Sequence, residues 1–434
     1  MRKSTSPVWH PFTQHAVQPD PPLIARGEGA WLETAEGERI FDAISSWWVV
    51  THGHRHPDIM QAIKDQADRL DQVIFAGFTH EPAEKLARRL VAMTPPELEY
   101  VFFSDSGSTS VEVALKMALG FWRHRGEKRT GILALEGAYH GDTVGGMSVG
   151  ERGVFNAPYD PLLFDVERLP FPHPGREEVT LQALNAACGK GSVAALIVEP
   201  LILGAGGMLI YAPEVLSEMK RICETHGVLF IADEVMTGWG RTGEWFAMNH
   251  WGVTPDILVT AKGITSAYVP LGLCATSGKI AEYFQDHYFA HGHTYEAHPL
   301  TLAPAVATIH EIQRLGLVER ARELAPYVEA KLNELKTKHP SIGDVRGRGL
   351  FWAVDLVKNR TTKEPFNTYE DKVSGKPLLV DQVAAKMLAE GVTIQAWVSH
   401  FVIAPPLIVT KEEIDRGIAA LDKHLALADS MVVP

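Results

Sequence analysis

A lysine and an aspartate stand near the ends of two apolar runs, and together they suit a cofactor that carries an aldehyde. Lys262 comes shortly after the run 257–259, and Asp233 ends the earlier run 228–232. A buried amine can form a Schiff base with an aldehyde, and a buried carboxylate can pair with a protonated ring nitrogen, as pyridoxal phosphate (PLP) requires. Taken alone, such a pair is more often a structural ion pair or solvent-exposed. The surrounding residues are therefore needed to distinguish a cofactor site from a structural ion pair.

A small polar loop at residues 104–110 has the composition of a phosphate site. It follows the apolar residues 101–103 and precedes a helical pattern at 111–121. Free backbone N–H groups at a helix start favour an anion, and Gly107 and Ser108 occupy that place. Ser and Thr also cap helices for structural reasons, so the loop alone leaves both interpretations open. No G-x-G-x-x-G opens this helix, which disfavours a nicotinamide site.

Two further stretches place aromatic and acidic side chains beside short apolar runs. Tyr139 and His140 lie in the glycine-bounded turn 137–143, and Glu199 directly follows the run 194–198. An exposed Tyr139 ring could stack on a flat cofactor, although a tyrosine in a turn is more often simply packed. His140 has the equally plain interpretation of a hydrogen-bonded loop histidine.

The elements that must position these residues alternate between strand-like and helical patterns from residue 58 to 320. Such alternation predicts an α/β fold with a mainly parallel sheet flanked by helices. Ligands of such sheets bind at the carboxyl ends of the strands, so we expect Glu199, Asp233 and Lys262 to meet there. For residues 321–434 we predict a smaller α+β domain, in which 358–377 form a solvated loop. For residues 1–57 we predict a segment that packs with this domain and the substrate channel.

Composition excludes several classes of protein. The chain has 434 residues, 46% of them hydrophobic, and a formal net charge of −12 with scattered basic residues, so we expect no nucleic-acid partner. No window is apolar enough for a membrane span, and residues 1–15 show no targeting pattern. The cysteines Cys188, Cys223 and Cys274 are far apart, which predicts a reducing cytoplasmic location.

The alternating histidines His52, His54 and His56 superficially suggest a metal site. Gly53 and Pro57 favour an irregular turn into a helix instead, so we predict no metal here.

Together these residues resemble the class III aminotransferases, the ω-aminotransferase branch of the fold-type I PLP enzymes. The resemblance covers nearly the whole chain and is most specific at residues 233–243, Asp-Glu-Val-Met-Thr-Gly-Trp-Gly-Arg-Thr-Gly, followed by Ala-Lys-Gly at 261–263. It implies that Lys262 binds the PLP aldehyde, Asp233 pairs with the ring nitrogen, and Val235 and Tyr139 cover the two ring faces.

The resemblance also implies roles for residues nearer the phosphate and the substrate. Gly107 and Ser108 would bind the phosphate, and Glu199 would lie near the cofactor and the substrate entrance. Thr294 would reach the phosphate of a neighbouring subunit, which predicts a homodimer with shared active sites.

For the substrate, Trp47 and Trp48 would line an apolar channel or pack in the core. Arg241 would bind a substrate carboxylate or be a structural arginine.

Further matches lie at residues 9–14 (Trp-His-Pro-Phe-Thr-Gln), 45–48 (Ser-Ser-Trp-Trp), 105–108 (Asp-Ser-Gly-Ser) and 111–114 (Val-Glu-Val-Ala). Through them the N-terminal half resembles, within the family, the biotin-pathway aminotransferases that act on 8-amino-7-oxononanoate with S-adenosylmethionine. The C-terminal half departs from them. Gln395 stands where those enzymes and many amine transaminases have a carboxylate-binding arginine, and Ala297 stands where glycine is common. A neutral amide cannot replace the charge or the paired hydrogen bonds of arginine.

We therefore expect a transaminase that moves an amino group from an ω-amino acid or primary amine to a 2-oxo acid such as pyruvate. The alternative is the biotin-pathway reaction. Remoter alternatives are a PLP decarboxylase, racemase or aminomutase, or a non-enzymatic binding protein that keeps the fold.

Overall fold

The computed structural model describes residues 6–13, 21–153 and 156–433. Its largest element is a seven-stranded central sheet, mostly parallel, in which only strand Gly272–Ser277 runs antiparallel to its neighbours. In spatial order the strands are Leu98–Ser104, Gly272–Ser277, Ile257–Ala261, Leu229–Asp233, Val193–Val198, Gly131–Leu135 and Glu167–Leu169. The predicted α/β class with a mainly parallel sheet is confirmed.

The inner strands of this sheet are buried along their whole length and almost entirely apolar, because helices cover both faces. Every residue of strands Val193–Val198, Leu229–Asp233 and Ile257–Ala261 is buried. Such continuous runs of apolar residues are typical of parallel strands that are covered on both sides. The polar residues therefore come at or just beyond the strand ends.

Two smaller sheets lie outside the central one. The small sheet has the strands Ile342–Arg348, Phe351–Asn359, His400–Ile403 and Gln395–Trp397 in that order, with Glu364–Pro365 paired to Phe351–Asn359. The N-terminal sheet joins strands Ile24–Glu28, Trp31–Thr34 and Arg39–Asp42 to Val392–Thr393. A two-stranded hairpin, Ile202–Leu203 with Leu209–Ile210, follows Glu199.

The helices begin and end with recognisable signals. Helix Gly107–His124 starts with a capping box between Ser106 and Thr109, and helix Pro213–His226 ends at Gly227, which has a φ of 67°. The other α-helices are the distorted single turn Ser45–Trp48, Pro57–Ala67, Glu81–Met93, Val144–Val149, Glu177–Cys188, Gly278–Ala281, Pro299–Arg314, Leu317–Lys338, Tyr369–Val373, Leu379–Ala389 and Lys411–Asp429, and the 3-10 turns are Ala157–Leu162, Ala247–Trp251, Lys262–Thr265 and Glu282–Phe284. No helix of the described ranges has both the length and the apolar character of a membrane span.

One sequence expectation is wrong in detail. Residues 358–377 are not simply a solvated loop, because they contain strand Glu364–Pro365 and helix Tyr369–Val373, and Phe366 is buried. Turn-forming residues are common in both loops and short capped helices, so composition alone misses them. The division at residues 57 and 320 stays a prediction, although strand Val392–Thr393 does pair with the N-terminal strand Arg39–Asp42.

Candidate active site

A cavity opens at the carboxyl edge of the central sheet. Its walls come from the loops that follow five of the strands. The lining residues are Gly107, Ser108, Tyr139, His140, Gly141, Glu199, Asp233, Val235, Met236, Thr237 and Lys262. The structure therefore brings together every cofactor-binding residue suggested by the sequence except Thr294.

Lys262 lies at the floor of this cavity in an unusual environment. Lys262 is the first residue of the turn Lys262–Thr265 and has a left-handed φ of 50°, a conformation that costs energy for a residue with a side chain. Burial lowers the pKa of its amine to about 8, although the charges of Asp233 and Glu199 oppose that shift. A lysine of this kind is much more often neutral than an exposed one, so it is a better nucleophile and base.

Asp233 is held by a histidine rather than by Lys262. His140 Nδ1 lies 2.7 Å from Asp233 Oδ2, and the backbone N–H of Val235 donates to Oδ1 at 3.1 Å. Within the described ranges, His140 Nε2 is buried and has no partner. The simple ion-pair interpretation of Asp233 and Lys262 thus fails, and His140 fixes the direction of a buried carboxylate.

Glu199 connects the turn that carries Tyr139 to the loop that follows Glu199 itself. One carboxylate oxygen accepts from the backbone N–H of Tyr139 at 2.9 Å, and the other from that of Gly204 at 3.0 Å. Burial raises the pKa of Glu199 to about 7 despite these hydrogen bonds. The Tyr139 hydroxyl donates to Asp142 at 2.9 Å, which orients its ring at the cavity.

The start of helix Gly107–His124 lines the cavity with the backbone of Gly107 and Ser108. A Cβ added to Gly107 would come within 2.8 Å of Val235 Cγ1, so only glycine lets the backbone approach this closely. A Cβ added to Gly141 would come within 2.1 Å of Ser108 Oγ. Because the Ser106 and Thr109 side chains form the cap, the hydroxyl of Ser108 is not used by it.

These residues fit PLP. Lys262 can bind the aldehyde, Asp233 can hold a protonated ring nitrogen, and the backbone at Gly107 and Ser108 can bind a phosphate. All of these residues line one cavity at the carboxyl ends of the strands, where the order of strands in the sequence predicts them.

Beside Lys262, the cavity meets an aromatic and apolar wall. The amine of Lys262 lies 5.8 Å from the Trp48 ring centroid, and Trp48 packs on Phe351 of the small sheet at 5.7 Å. Trp47 is more exposed, and its ring meets Phe12 edge-on at 5.6 Å. Trp48 therefore lies where a substrate would reach Lys262, and Trp47 lies further out.

The turn that carries the two tryptophans is strained and held by a buried charge. Ser45, Ser46 and Trp48 have positive φ angles of 52°, 59° and 49°. The Asp42 carboxylate, which is fully buried, accepts from the Ser46 N–H at 2.8 and 2.9 Å and pairs with His54 Nε2 at 2.9 Å. Strain of this kind persists only where neighbouring contacts enforce it.

Arg241 is occupied by the backbone. Its guanidinium is buried and donates to the carbonyls of Pro405 at 2.6 Å and Leu350 at 3.1 Å, with longer contacts at 3.4 Å to Ser45 Oγ and the Trp48 carbonyl. Burial lowers its pKa to about 9. Of the two roles that the sequence left open, this geometry supports the structural one, in which Arg241 joins the tryptophan turn to the small sheet.

Comparison with known proteins decides the family. The sequence matches the family model of aminotransferase class-III over residues 12–425. The chain belongs to the class-III aminotransferases.

Named relatives of this aminotransferase match nearly its whole length. It is 42% identical to an adenosylmethionine-8-amino-7-oxononanoate aminotransferase of Synechococcus elongatus, covering 95% of this chain and 97% of the relative. It is 38% identical to the protein of that name in Geobacter sulfurreducens, covering 96% and 95%.

Solved structures divide between two kinds of aminotransferase. An amine transaminase from an uncultivated Pseudomonas species, solved with PLP bound, superposes with a TM-score of 0.92 at 32% identity, covering 98% of this chain and 99% of that one. The adenosylmethionine-8-amino-7-oxononanoate aminotransferase of Methanocaldococcus jannaschii gives 0.91 at 33% identity, covering 96% of each chain. These findings confirm the fold-type I transferase fold and indicate PLP as the cofactor of this class-III aminotransferase.

Thr294 is the predicted cofactor residue that lies outside the cavity. Its side chain is exposed, and its carbonyl accepts from Gln72 Nε2 at 2.8 Å. Nearby, Ala297 is buried with a φ of 52°, and its carbonyl receives His80 Nε2 at 2.7 Å. That left-handed backbone explains physically why glycine suits this position in other class-III aminotransferases.

Sequence reasoning missed several residues around the class-III site. Gly141, Met236 and Thr237 also line the cavity, and the strand-end rule could have found them because they adjoin residues already chosen. Asp42 and Phe351 gave no such signal, because their positions depend on contacts far apart in sequence.

Proposed function

We propose that this class-III aminotransferase moves an amino group from an ω-amino acid or primary amine to a 2-oxo acid such as pyruvate. The observation that carries the proposal is the neutral Gln395 on the small sheet. Its Nε2 donates to the neighbouring Ala396 carbonyl at 3.1 Å. The guanidinium of Arg241 is bound to backbone carbonyls, so it is not free to take over carboxylate binding.

The absence of a guanidinium at position 395 changes what the site can select. A bidentate arginine contact to a carboxylate is worth on the order of 1.5–3 kcal/mol. Without it, substrate binding relies more on apolar contact with Trp48 and its neighbour Phe351. Such a site favours amines that need no tightly held carboxylate close to the reacting carbon.

Within the reaction, the bound cofactor supplies an electron sink for the carbon that carries the amino group. With the cofactor bound, Lys262 would be the group that carries a proton to and from that carbon, which a pKa of about 8 makes feasible at neutral pH. Asp233 would hold a protonated ring nitrogen, and His140 keeps that carboxylate in place. Donor and acceptor use the same site in turn, so we expect ping-pong kinetics.

A second candidate function is the biotin-pathway reaction, amination of 8-amino-7-oxononanoate by S-adenosylmethionine. The names of the relatives at 42% and 38% identity favour it. It requires another way to hold the substrate carboxylate, because Gln395 carries no charge.

One experiment separates the candidates. The yellow holoenzyme is mixed separately with β-alanine, a diamine, 1-phenylethylamine and S-adenosylmethionine, and loss of the cofactor's yellow absorbance is recorded. We expect the amines or β-alanine to bleach it and pyruvate to restore it with alanine formation. Bleaching by S-adenosylmethionine alone, together with turnover of 8-amino-7-oxononanoate, would establish the second candidate. Carbon dioxide release or isomerisation without alanine would indicate a decarboxylase or an aminomutase.

We further propose a homodimer in which Thr294 serves the partner's site. Thr294 is exposed and outside its own cavity, its neighbour in the chain Tyr295 is also exposed, and Gln72, which donates to the Thr294 carbonyl, is two residues from the exposed Ile74. Exposed apolar side chains grouped in this way are typical of association surfaces. A cytoplasmic location stays a prediction.

Subunit mixing tests the shared site. Lys262→Ala and Thr294→Ala subunits each form impaired homodimers, but a mixed dimer regains one site with both residues intact. We expect mixing to restore activity above that of either variant. A mixture no more active than the sum of its parts, or a monomer by light scattering, would contradict the dimer.

A further inference from the structure

A lysine lies beside the small sheet and contacts Trp397, which comes two residues after Gln395, the place of the missing arginine. The Nζ of Lys372, in helix Tyr369–Val373, lies 4.3 Å from the ring centroid of Trp397. The indole Nε1 of Trp397 is 3.3 Å from the Tyr369 hydroxyl, to which it donates. The short helix thus contacts strand Gln395–Trp397, which is the edge strand of the small sheet.

Lys372 lies on the same side of this sheet as Gln395. In a strand, alternate residues share a face, and residues paired across two strands share it too. Gln395 pairs with Val402, and Trp397 pairs with His400. The four side chains therefore lie on one face of the small sheet, and Lys372 lies at the edge of that face, beside Trp397.

That face is the one turned towards the cofactor cavity. Phe351 lies on it, since Ala353, two residues later, pairs with Val402. The Phe351 ring packs on Trp48, whose own ring lies beside Lys262.

A second row of contacts supports the same orientation. Arg346, which pairs with Ala353 and shares this face, donates to the carbonyls of Gly207 at 2.5 Å and Met208 at 2.7 Å. Those residues belong to the loop whose Gly204 N–H binds the cavity residue Glu199. The face that carries Gln395 and Lys372 therefore looks onto the cavity.

The ammonium of Lys372 is available to a ligand. Among the residues that the structure describes, no carboxylate lies within ion-pair distance of its Nζ; the ammonium contacts the Trp397 ring and acts over a longer distance on the carboxyl of Asp381. The nearby Asp371 is taken by Lys376, at 2.6 Å. Half-burial of Lys372 and its ring contact restrict the side chain, which lowers the entropy lost on binding an anion.

We propose that Lys372 binds the distal carboxylate of ω-amino-acid substrates, in place of the arginine that Gln395 lacks; this inference rests on the proposed function. Two residues along a strand span about 6.6–6.8 Å. Trp397 lies in one row with His400 and Asp355, and this row is further from Phe351 than the row of Gln395, Val402 and Ala353. The cation beside Trp397 is therefore further from Lys262 than position 395 is, and it selects carboxylates separated from the reacting carbon by several methylene groups.

The test compares carboxylates with neutral amines of similar length. The holoenzyme and its Lys372→Met variant react with β-alanine, 6-aminohexanoate, 8-aminooctanoate and hexylamine, and the rate of cofactor bleaching is followed against concentration. For the two long ω-amino acids we expect the half-saturating concentration to rise about 5-fold in Lys372→Met, the size of a partly exposed ion pair, with the maximal rate unchanged. For hexylamine and β-alanine, the half-saturating concentration and the maximal rate should equal those of the wild type.

Two further variants separate binding from folding. Lys372→Arg should keep most of the affinity for long ω-amino acids because it keeps the charge. Lys376→Met removes a neighbouring lysine that pairs with Asp371, and it should leave the half-saturating concentrations of all four amino donors unchanged. Melting temperatures of all variants check that the helix remains folded.

Three results would overturn the inference. If Lys372→Met raises the half-saturating concentrations of 6-aminohexanoate and hexylamine equally, the lysine acts through structure rather than charge. If it changes neither concentration, Lys372 binds no substrate while the proposed function stands. If the wild type reacts with none of the donors, the proposed function fails first, and the role of Lys372 fails with it.

Discussion

The cofactor side and the substrate side of the cavity are built in opposite ways. The cofactor side gathers Lys262, Asp233, Glu199 and His140 from the ends of neighbouring parallel strands; the last three are buried and Lys262 is half-buried. The substrate side comes from the tryptophan turn and one face of the small sheet, where Trp48 and Phe351 are apolar and Gln395 is neutral.

The difference shows which part of the chemistry the fold itself supplies. Strand ends meet at one edge of a parallel sheet whatever the loops contain, so the cofactor groups follow from topology. The substrate wall depends on contacts between separate sheets and can change without disturbing the cofactor. We therefore expect substitutions on the cofactor side to abolish the reaction and those on the substrate side to redirect it.

The largest effect should follow Lys262→Ala. The variant loses both the amine that binds the cofactor and the proton carrier, and loss of a general base alone costs about 10²–10⁴-fold in rate. Steady-state transamination with pyruvate measures it, with circular dichroism as the control for folding. Exchange at a near-normal rate would remove Lys262 from the mechanism.

Asp233→Asn should be nearly as damaging. The amide cannot supply the negative charge that keeps a ring nitrogen protonated, and we expect about 10²–10³-fold lower kcat, as for loss of a preorganised electrostatic contact. His140→Asn, which only removes the support of Asp233, should cost less. Equal losses in both variants would show that His140 has a direct role.

On the substrate side, Gln395→Arg should change preference rather than abolish activity. A new guanidinium would improve kcat/KM for short amino acids such as β-alanine by about 10-fold, equivalent to 1.4 kcal/mol. The ratio of kcat/KM for β-alanine to that for propylamine reports the change. A ratio that stays constant would mean that position 395 does not face the substrate.

Asp42→Ala tests whether the tryptophan turn needs its buried anchor. The change leaves the Ser46 N–H and His54 without their acceptor, which should lower the free energy of unfolding by about 1–3 kcal/mol. We expect KM for apolar amines to rise about 5-fold as Trp48 shifts, with kcat little changed. Unchanged KM despite a lower melting temperature would limit Asp42 to a structural role.

The smallest effect concerns pH. Lys262 attacks the cofactor aldehyde only when neutral, and its pKa is lowered from 10.5 to about 8. Cofactor capture by the apoenzyme should therefore speed up as pH rises towards 8 and level off above it. Stopped-flow absorbance measures the rate, and a midpoint near 10 would show that the lysine is not desolvated.

The sequence predicts the cofactor side far better than the substrate side. Strand order alone places Glu199, Asp233 and Lys262 together, because each lies at or just after the end of a buried, mainly apolar strand. Sequence alone could not choose between two roles for Arg241, since its carbonyl partners at Leu350 and Pro405 are more than 100 positions away.

The same limit applies to residues 358–377. Their turn-forming composition hides the helix Tyr369–Val373 that carries Lys372. Its contact with Trp397 depends on how this segment meets the edge of the small sheet, which no local pattern encodes.

The position of the cofactor on Lys262 is tested most directly by borohydride trapping. The yellow holoenzyme is reduced, digested and mapped by mass spectrometry. The account predicts a phosphopyridoxyl adduct on the peptide that contains Lys262 and on no other lysine. An adduct at another lysine, or a protein that binds no PLP, would contradict it.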